Sequence, residues 1–252
     1  MARRPSRRLD RSDGEAVAAR ERVITMIDAV EPERLVASIK RAPSLRGMIL
    51  GYIAEEMFAA HVPSRYPVIP ADDIVHHDDH NRSENKSDRT VRYKDRLYGI
   101  QLKSIQTNSI ARNLLTAVIE ADVQNDASDR RDVVFEDGHV VNTTCYLKGE
   151  YDILAVPLFP FTGTWEFAYK RNEDCSLTES SRYSEYERQF LLATTERICW
   201  PLSNEWHTNL LDLLTPGAGS PVDAPDVITE PSGEIRVREA GAVILPDKDE
   251  EV

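Results

Sequence analysis

The sequence contains few cysteines, no long apolar run and no excess of positive charge. Cys145, Cys175 and Cys199 are odd in number and widely spaced, so they predict neither a disulfide framework nor a zinc site. No run approaches the roughly 18 apolar residues of a membrane-spanning helix. The arginine-rich start is not followed by the apolar stretch of a signal peptide. We therefore expect a reduced, cytoplasmic protein with no membrane partner.

Several common catalytic signatures are also missing. The chain has no serine-nucleophile motif, no P-loop and no dinucleotide-binding glycine pattern. A catalytic site would therefore have to be built from other side chains, and carboxylates, amides and lysines placed on strands become the first candidates.

Charge is distributed unevenly along the 252 residues. The net charge of −12 argues against a general nucleic-acid binder. Residues 1–12 carry five arginines, which predicts a disordered basic arm that either contacts phosphates or is only solvated. Residues 215–252 carry nine acidic and three basic residues and predict a largely disordered tail. Between them, residues 13–214 are long enough for one α/β domain.

The apolar spacing predicts a central mixed sheet flanked by helices. Helices are expected at 15–30, 32–39, 44–61, 110–123, 184–198 and 204–214. Strands are expected at 65–69, 90–93, 98–103, 133–141 as a hairpin, 151–156, 165–169 and, as an edge strand, 235–245.

The stretch 90–104 predicts a hairpin with candidate catalytic side chains on one face. Tyr98, Ile100 and Leu102 alternate with polar or small residues, which is typical of a half-buried strand, and the preceding strand begins after Asp88. A hairpin would bring Asp88 near Gln101. A surface hairpin with one polar face is the alternative interpretation.

These residue types suit a metal-dependent phosphodiesterase. Asp88 offers a carboxylate oxygen, Gln101 an amide oxygen and Leu102 a backbone carbonyl, and Mg²⁺ prefers such hard oxygen ligands. Mn²⁺ is a substitute. Lys103 would orient the attacking water or neutralise developing negative charge.

The combination resembles the PD-(D/E)XK nuclease superfamily, also called restriction endonuclease-like. Asp88, a short hairpin and Gln101-Leu102-Lys103 follow a helix that carries Gly51 and Glu55. This is similar to the branch in which Gln-x-Lys replaces Glu-x-Lys, as in homing endonucleases of group I introns and some restriction enzymes. The resemblance implies that Asp88, Gln101 and Glu55 line the metal site and that Lys103 is the catalytic lysine.

The helix carboxylate has two candidates. Spacing from Gly51 in the superfamily pattern selects Glu55, whereas the apolar stripe through Leu45, Ile49 and Tyr52 would centre on Glu56. We prefer Glu55 and keep Glu56 in reserve. Two solvated acids at a helix edge would be the structural alternative.

Other segments offer contacts or rival sites. Short uncharged side chains follow Lys103 and could contact DNA: Ser104, Gln106, Thr107 and Asn108. Asp152 with Lys170 forms a rival pair, although Ala168 stands where a second carboxylate would be expected. The run His76–His80 has ligand-type residues, but adjacent residues cannot all face one ion.

The expected function is a Mg²⁺-dependent endonuclease that hydrolyses DNA in restriction, homing or defence. A homodimer would suit cleavage of both strands. Because Gln101 is a neutral amide where an acid is more usual, the alternative is a nucleic-acid-binding or regulatory protein on the same fold that does not cleave.

Overall fold

The computed structural model describes residues 27–76 and 87–214, together with the backbone of 226–229 and 235–238. The helices are α1 (Pro32–Arg41), α2 (Pro43–Arg65) and α3 (Phe159–Thr162). The strands are β1 (Ile74–His76), β2 (Arg89–Tyr93), β3 (Arg96–Leu102), β4 (Ala111–Arg112), β5 (Ile119–Gln124), β6 (Asp126–Val134), β7 (Val140–Cys145), β8 (Ile153–Pro157), β9 (Phe167–Arg171), β10 (Thr195–Trp200), β11 (Asp226–Thr229) and β12 (Ile235–Arg238).

Some predictions concern residues outside the described ranges. The basic arm 1–12, most of the helix 15–30, His77 to His80 and the tail outside β11 and β12 lie outside the described residues. Of the predicted edge strand 235–245, residues 235–238 form β12, which is not an edge strand because it pairs with β11 on one side and with β6 on the other.

The chain divides into two compact units, 1–50 and 51–252, and the boundary falls inside α2. In the first unit, α1 forms over the predicted segment because a proline at the first helical turn presets the backbone. Leu35, Val36 and Ile39 recur at helical spacing, yet no residue of α1 is buried.

Helix α2 was predicted to be mostly buried, and this is wrong for its first half. Leu45, Met48 and Tyr52 are exposed. The buried positions Phe58 and Val62 lie one turn apart and pack on the central sheet. The helix is apolar on several faces, but only one face of its second half meets the sheet. No helix in the described part of the chain is both long and apolar enough to span a membrane.

The central sheet has five strands in the order β1-β2-β3-β8-β9. Strands β3 and β8 are parallel and the other pairs are antiparallel, so the sheet is mixed. The predicted α/β class with a mixed central sheet is thereby confirmed. The predicted strand at 65–69 is wrong, because α2 continues to Arg65 and a turn follows it.

Strand β3 is central and buried on both faces, not half-buried as its alternation predicted. Tyr98, Ile100 and Leu102 pack in the core shared with α2. Gly99 and Gln101, on the opposite face, are also buried. The reason is that another sheet packs on this second face, which alternation within one hairpin does not reveal.

A second sheet covers the other face of the central one. Its order is β10-β5-β4, and Val123 of β5 joins a core cluster with Leu154 and Val156 of β8. A third sheet, β11-β12-β6-β7, contains the predicted hairpin at Asp137-Gly138, with Gly138 at a φ of 79°.

Three predicted helices are wrong. Residues 110–123 form β4, a turn and β5, while 184–198 give one short 3-10 turn and β10. Residues 204–214 contain only a short 3-10 turn. In each case apolar residues three or four apart suggested a helix, but Ala121 and Val123 also alternate as in a strand and pair with β10.

Ala117 lies in the turn between β4 and β5 at a φ of 60°, a left-handed conformation that side chains disfavour. Replacing Ala117 with glycine should stabilise the protein by about 1 kcal/mol, because the strain outweighs the entropy that glycine adds to the unfolded chain. Thermal unfolding should show a Tm raised by about 2–4 °C. Ala111→Gly, in strand β4, should not raise it, and an unchanged Tm for Ala117→Gly would contradict the prediction.

Candidate active site

The hairpin of β2 and β3 brings Asp88 and Gln101 together. Arg89 pairs with Ile100, so Asp88 just before β2 lies beside Gln101 near the end of β3. Gln101 Nε2 donates to Asp88 Oδ2 at 2.5 Å, and the Leu102 N–H donates to the same oxygen at 2.7 Å. Leu102 therefore contacts Asp88 through its N–H, whereas the prediction used its carbonyl.

The amide oxygen of Gln101 is the unusual atom of this group. Gln101 is only 2% exposed, and its Oε1 has no hydrogen-bond partner among the described residues. A buried carbonyl without a partner costs about 1–3 kcal/mol. Rotation of this amide would present the oxygen beside the Asp88 carboxylate.

The oxygen atoms of Asp88 and Gln101 suit a hard divalent cation. A carboxylate and an amide oxygen are ligands for Mg²⁺, which keeps several waters and needs few protein ligands. No group of three His, Cys, Asp or Glu side chains that could hold a metal occurs within the described residues. An ion here would therefore rely on Asp88, on the amide of Gln101 and on water.

Lys103 follows the end of β3 and points away from solvent. Its Nζ donates to the Asp126 carbonyl oxygen at 2.8 Å and lies 5.2 Å from the centre of the Tyr146 ring. Burial lowers the pKa of Lys103, and the nearby carboxylates of Asp88, Asp126 and Glu55 oppose this shift. The ammonium group therefore lies in the electric field of Asp88 and Glu55, the two carboxylates that were predicted to line a metal site.

Arg131, Glu150 and Tyr146 form a group of charged and aromatic side chains next to Lys103. Arg131 forms a two-pronged ion pair with Glu150 and stacks over Tyr146 at 5.2 Å. Burial, together with the Asp88 and Glu150 carboxylates, raises the pKa of Tyr146 well above its usual value, so its hydroxyl stays protonated. This group holds the aromatic ring on which the Lys103 ammonium lies.

Glu55 and Glu56 both contact Arg89, a residue that sequence analysis missed. Arg89 Nη2 donates to Glu56 Oε1 at 2.6 Å, and Arg89 Nε lies 3.9 Å from Glu55 Oε2. His76 Nδ1 lies 3.8 Å from the same Glu55 oxygen. The Glu55 side chain is 15% exposed and that of Glu56 is 75% exposed, so Glu55 is the better shielded. Arg89 shares the core face of β2 with Val91, and an arginine at such a position was the available signal.

The rival pair is not assembled. Asp152 accepts hydrogen bonds from the Gly99 N–H at 2.7 Å and from Arg96 at 3.1 Å. Lys170 is instead buried against Glu196 at 3.0 Å. Both side chains therefore have structural partners of their own. Of the histidine run, only His76 is described, at the end of β1.

The predicted DNA-contact residues follow Lys103 along the edge of the second sheet. Thr107 and Asn108 are exposed, and Ser104 and Gln106 are half-buried. The Gln106 N–H donates to the Asp122 carbonyl at 2.8 Å, which fixes this segment against β5.

Comparisons with known proteins give little further support. No protein-family model and no curated protein matches the chain. Among solved structures, the chain is similar to a bacterial homing endonuclease, with 13% sequence identity, 56% of this chain and 85% of that chain covered, and a TM-score of 0.28. A TM-score this low supports no statement about the activity of the chain.

Proposed function

We propose that the chain is a metal-dependent DNA endonuclease that uses Mg²⁺, or Mn²⁺ in its place. The proposal rests on one observation. Asp88 accepts a hydrogen bond from the buried amide of Gln101, the oxygen of that amide has no hydrogen-bond partner within the described residues, and Lys103 follows two residues later in the chain. The PD-(D/E)XK resemblance of the sequence supports the proposal that these residues form a metal site.

Each residue has a distinct role in this proposal. Asp88 and Gln101 would hold the ion, and Glu55 would complete its surroundings from α2. A divalent cation supplies charge stabilisation at the phosphate and at the leaving oxygen. The Lys103 ammonium would orient the attacking water, or stabilise charge that develops on the phosphate, from a position that Tyr146 and the Asp126 carbonyl define.

The test is plasmid cleavage by the wild type and by Lys103→Ala, with Mg²⁺ or Mn²⁺ at low salt. Removing a group that stabilises transition-state charge costs about 10²–10³ in rate, so the variant should cleave about 10²-fold more slowly or not at all. Low salt is needed because binding driven by phosphate contacts weakens steeply as salt rises. Several unrelated plasmids cover the case of a rare recognition site.

Lys94→Ala is the matched control, because Lys94 is an exposed lysine in the turn between β2 and β3. It should cleave at the wild-type rate. Equal cleavage by wild type and Lys103→Ala would eliminate Lys103 as a catalytic residue and direct attention to His76–His80 or Asp152.

A DNA-binding protein that does not cleave is the second candidate. It is favoured by the observation that Gln101 donates its amide to Asp88 and that Lys103 donates to a backbone carbonyl, which are both structural hydrogen bonds. Retardation of DNA in a gel without cleavage by wild type or variant would support this candidate.

A further inference from the structure

The turn between β4 and β5 presents two leucines almost entirely to solvent. Leu114 is 93% exposed and Leu115 is 97% exposed. Single exposed apolar residues are ordinary, but two adjacent leucines with nearly their whole surface in water indicate a surface that meets a partner.

The turn that carries these leucines is held in place. Asn113 Oδ1 accepts from the Leu115 N–H at 3.0 Å and from the Thr116 N–H at 3.3 Å. Asn113 Nδ2 donates to Glu120 Oε1 at 2.9 Å, and the Asn113 N–H donates to the Val118 carbonyl at 2.8 Å. The leucines therefore stand on an ordered tip, and their exposure does not arise from a loose loop.

The segment that leads to this tip contains no acidic side chain, although the neighbouring strand β5 carries Glu120 and Asp122. Residues 96–119 contain no acidic residue, although the chain as a whole carries 43. Arg112, next to the turn, is exposed. A chain with a net charge of −12 thus keeps its negative charge out of the segment that joins Lys103 to the leucines.

This segment also connects the tip to the candidate active site. It runs beside β5 from the bridge between Ile105 and Val123 to the pairing of Arg112 with Ile119. At about 3.3 Å per residue, the length of β5 places the tip roughly 20 Å from the contact between Lys103 and Asp126. That distance corresponds to about six base pairs of duplex DNA at about 3.4 Å per step.

We propose that Leu114 and Leu115 insert between base steps of duplex DNA whose backbone follows residues 104–112 to the candidate active site. This inference rests on the proposed function, because it requires DNA at that site. Apolar side chains on an ordered tip can separate stacked bases, and the resulting bend brings more of the duplex against the protein. Thr107, Asn108 and Arg112 would contact phosphates between the active site and the leucines.

The experiment measures DNA unwinding, which insertion between bases produces and phosphate contact alone does not. Closed circular plasmid is relaxed by a metal-independent topoisomerase in EDTA with the full-length protein, and the linking number is then read on a gel. Retardation of DNA is measured in the same buffer. The compared proteins are the wild type, the double variant Leu114→Ser with Leu115→Ser, and Leu97→Ser as a control at an exposed leucine of β3.

The wild type and Leu97→Ser should lower the linking number in proportion to bound protein. The double variant should leave the linking number unchanged, and its binding should weaken by about tenfold because two apolar side chains no longer leave water. Circular dichroism that matches the wild type would show that the variant folds.

The alternative outcomes are separable. Unwinding by the double variant, or binding without unwinding by the wild type, would overturn the insertion and leave the proposed function intact. Failure of the wild type to bind DNA would overturn both. A double variant that alters self-association in sedimentation, but not the DNA, would identify the leucines as a protein contact and would also overturn the proposal.

Discussion

Asp88→Asn should abolish metal-dependent DNA cleavage while the protein stays folded. Asparagine keeps an oxygen that can accept the hydrogen bond from the Leu102 N–H, so the substitution removes mainly the charge. A bound ion contributes several kcal/mol of transition-state stabilisation, so the expected loss in rate is about 10³-fold or more. Plasmid cleavage gives the rate, and isothermal titration with Mn²⁺ gives the metal affinity.

Asp95→Asn is the matched control, since Asp95 is exposed in the turn of the same hairpin. It should bind Mn²⁺ and cleave like the wild type. Cleavage and metal binding retained in Asp88→Asn would rule out Asp88 as a ligand. Loss of cleavage with Mn²⁺ affinity unchanged would mean that Asp88 acts on the DNA or the water without holding the ion.

Lys170→Met should destabilise the protein by about 3–5 kcal/mol, because it leaves the Glu196 carboxylate buried without its cation. Both side chains are almost completely shielded from solvent, and their charged atoms lie 3.0 Å apart. Burial lowers the pKa of Lys170, but the charge and hydrogen bond of Glu196, together with the charges of Cys175 and Glu205, outweigh burial and raise the pKa overall. Denaturation in urea, with the free energy of unfolding extrapolated to water, measures the loss.

The double variant Lys170→Met with Glu196→Gln should recover much of this stability, because no unpaired charge then remains. Lys94→Met, at an exposed lysine, should change the free energy of unfolding by less than about 0.5 kcal/mol. A stable Lys170→Met variant that fails to cleave DNA would contradict the structural role and revive Lys170 as a catalytic residue.

The part of the fold that sequence could predict is the part whose contacts are local. The hairpin of β2 and β3 was predicted because its strands are joined by a short polar turn, and the contact between Asp88 and Gln101 follows from the same short connection. Strands β8 and β9 were predicted because their apolar runs are short and bounded by turn residues.

The predictions failed where pairing is distant in the chain. Strand β5 pairs with β10, and Val123 lies opposite Glu196, more than 70 residues later. Nothing in the spacing of residues 110–123 distinguishes a helix from a strand that finds such a partner. Residue Asp126 was missed for a related reason, because it meets Lys103 through a backbone carbonyl, which every residue possesses.

The pairing of β3 also bears on how the protein is made. Its antiparallel neighbour β2 lies one turn away, but its parallel neighbour β8 is 53 residues later, at the pair of Ile100 and Ile153. During synthesis the hairpin emerges first. The edge of β3 that will pair with β8 stays unpaired until β8 has been made, and β3 carries apolar Tyr98, Ile100 and Leu102. An open apolar edge invites pairing between molecules, and long-range strand closure is slow. Docking of β8 therefore removes an edge at which the growing chain could aggregate.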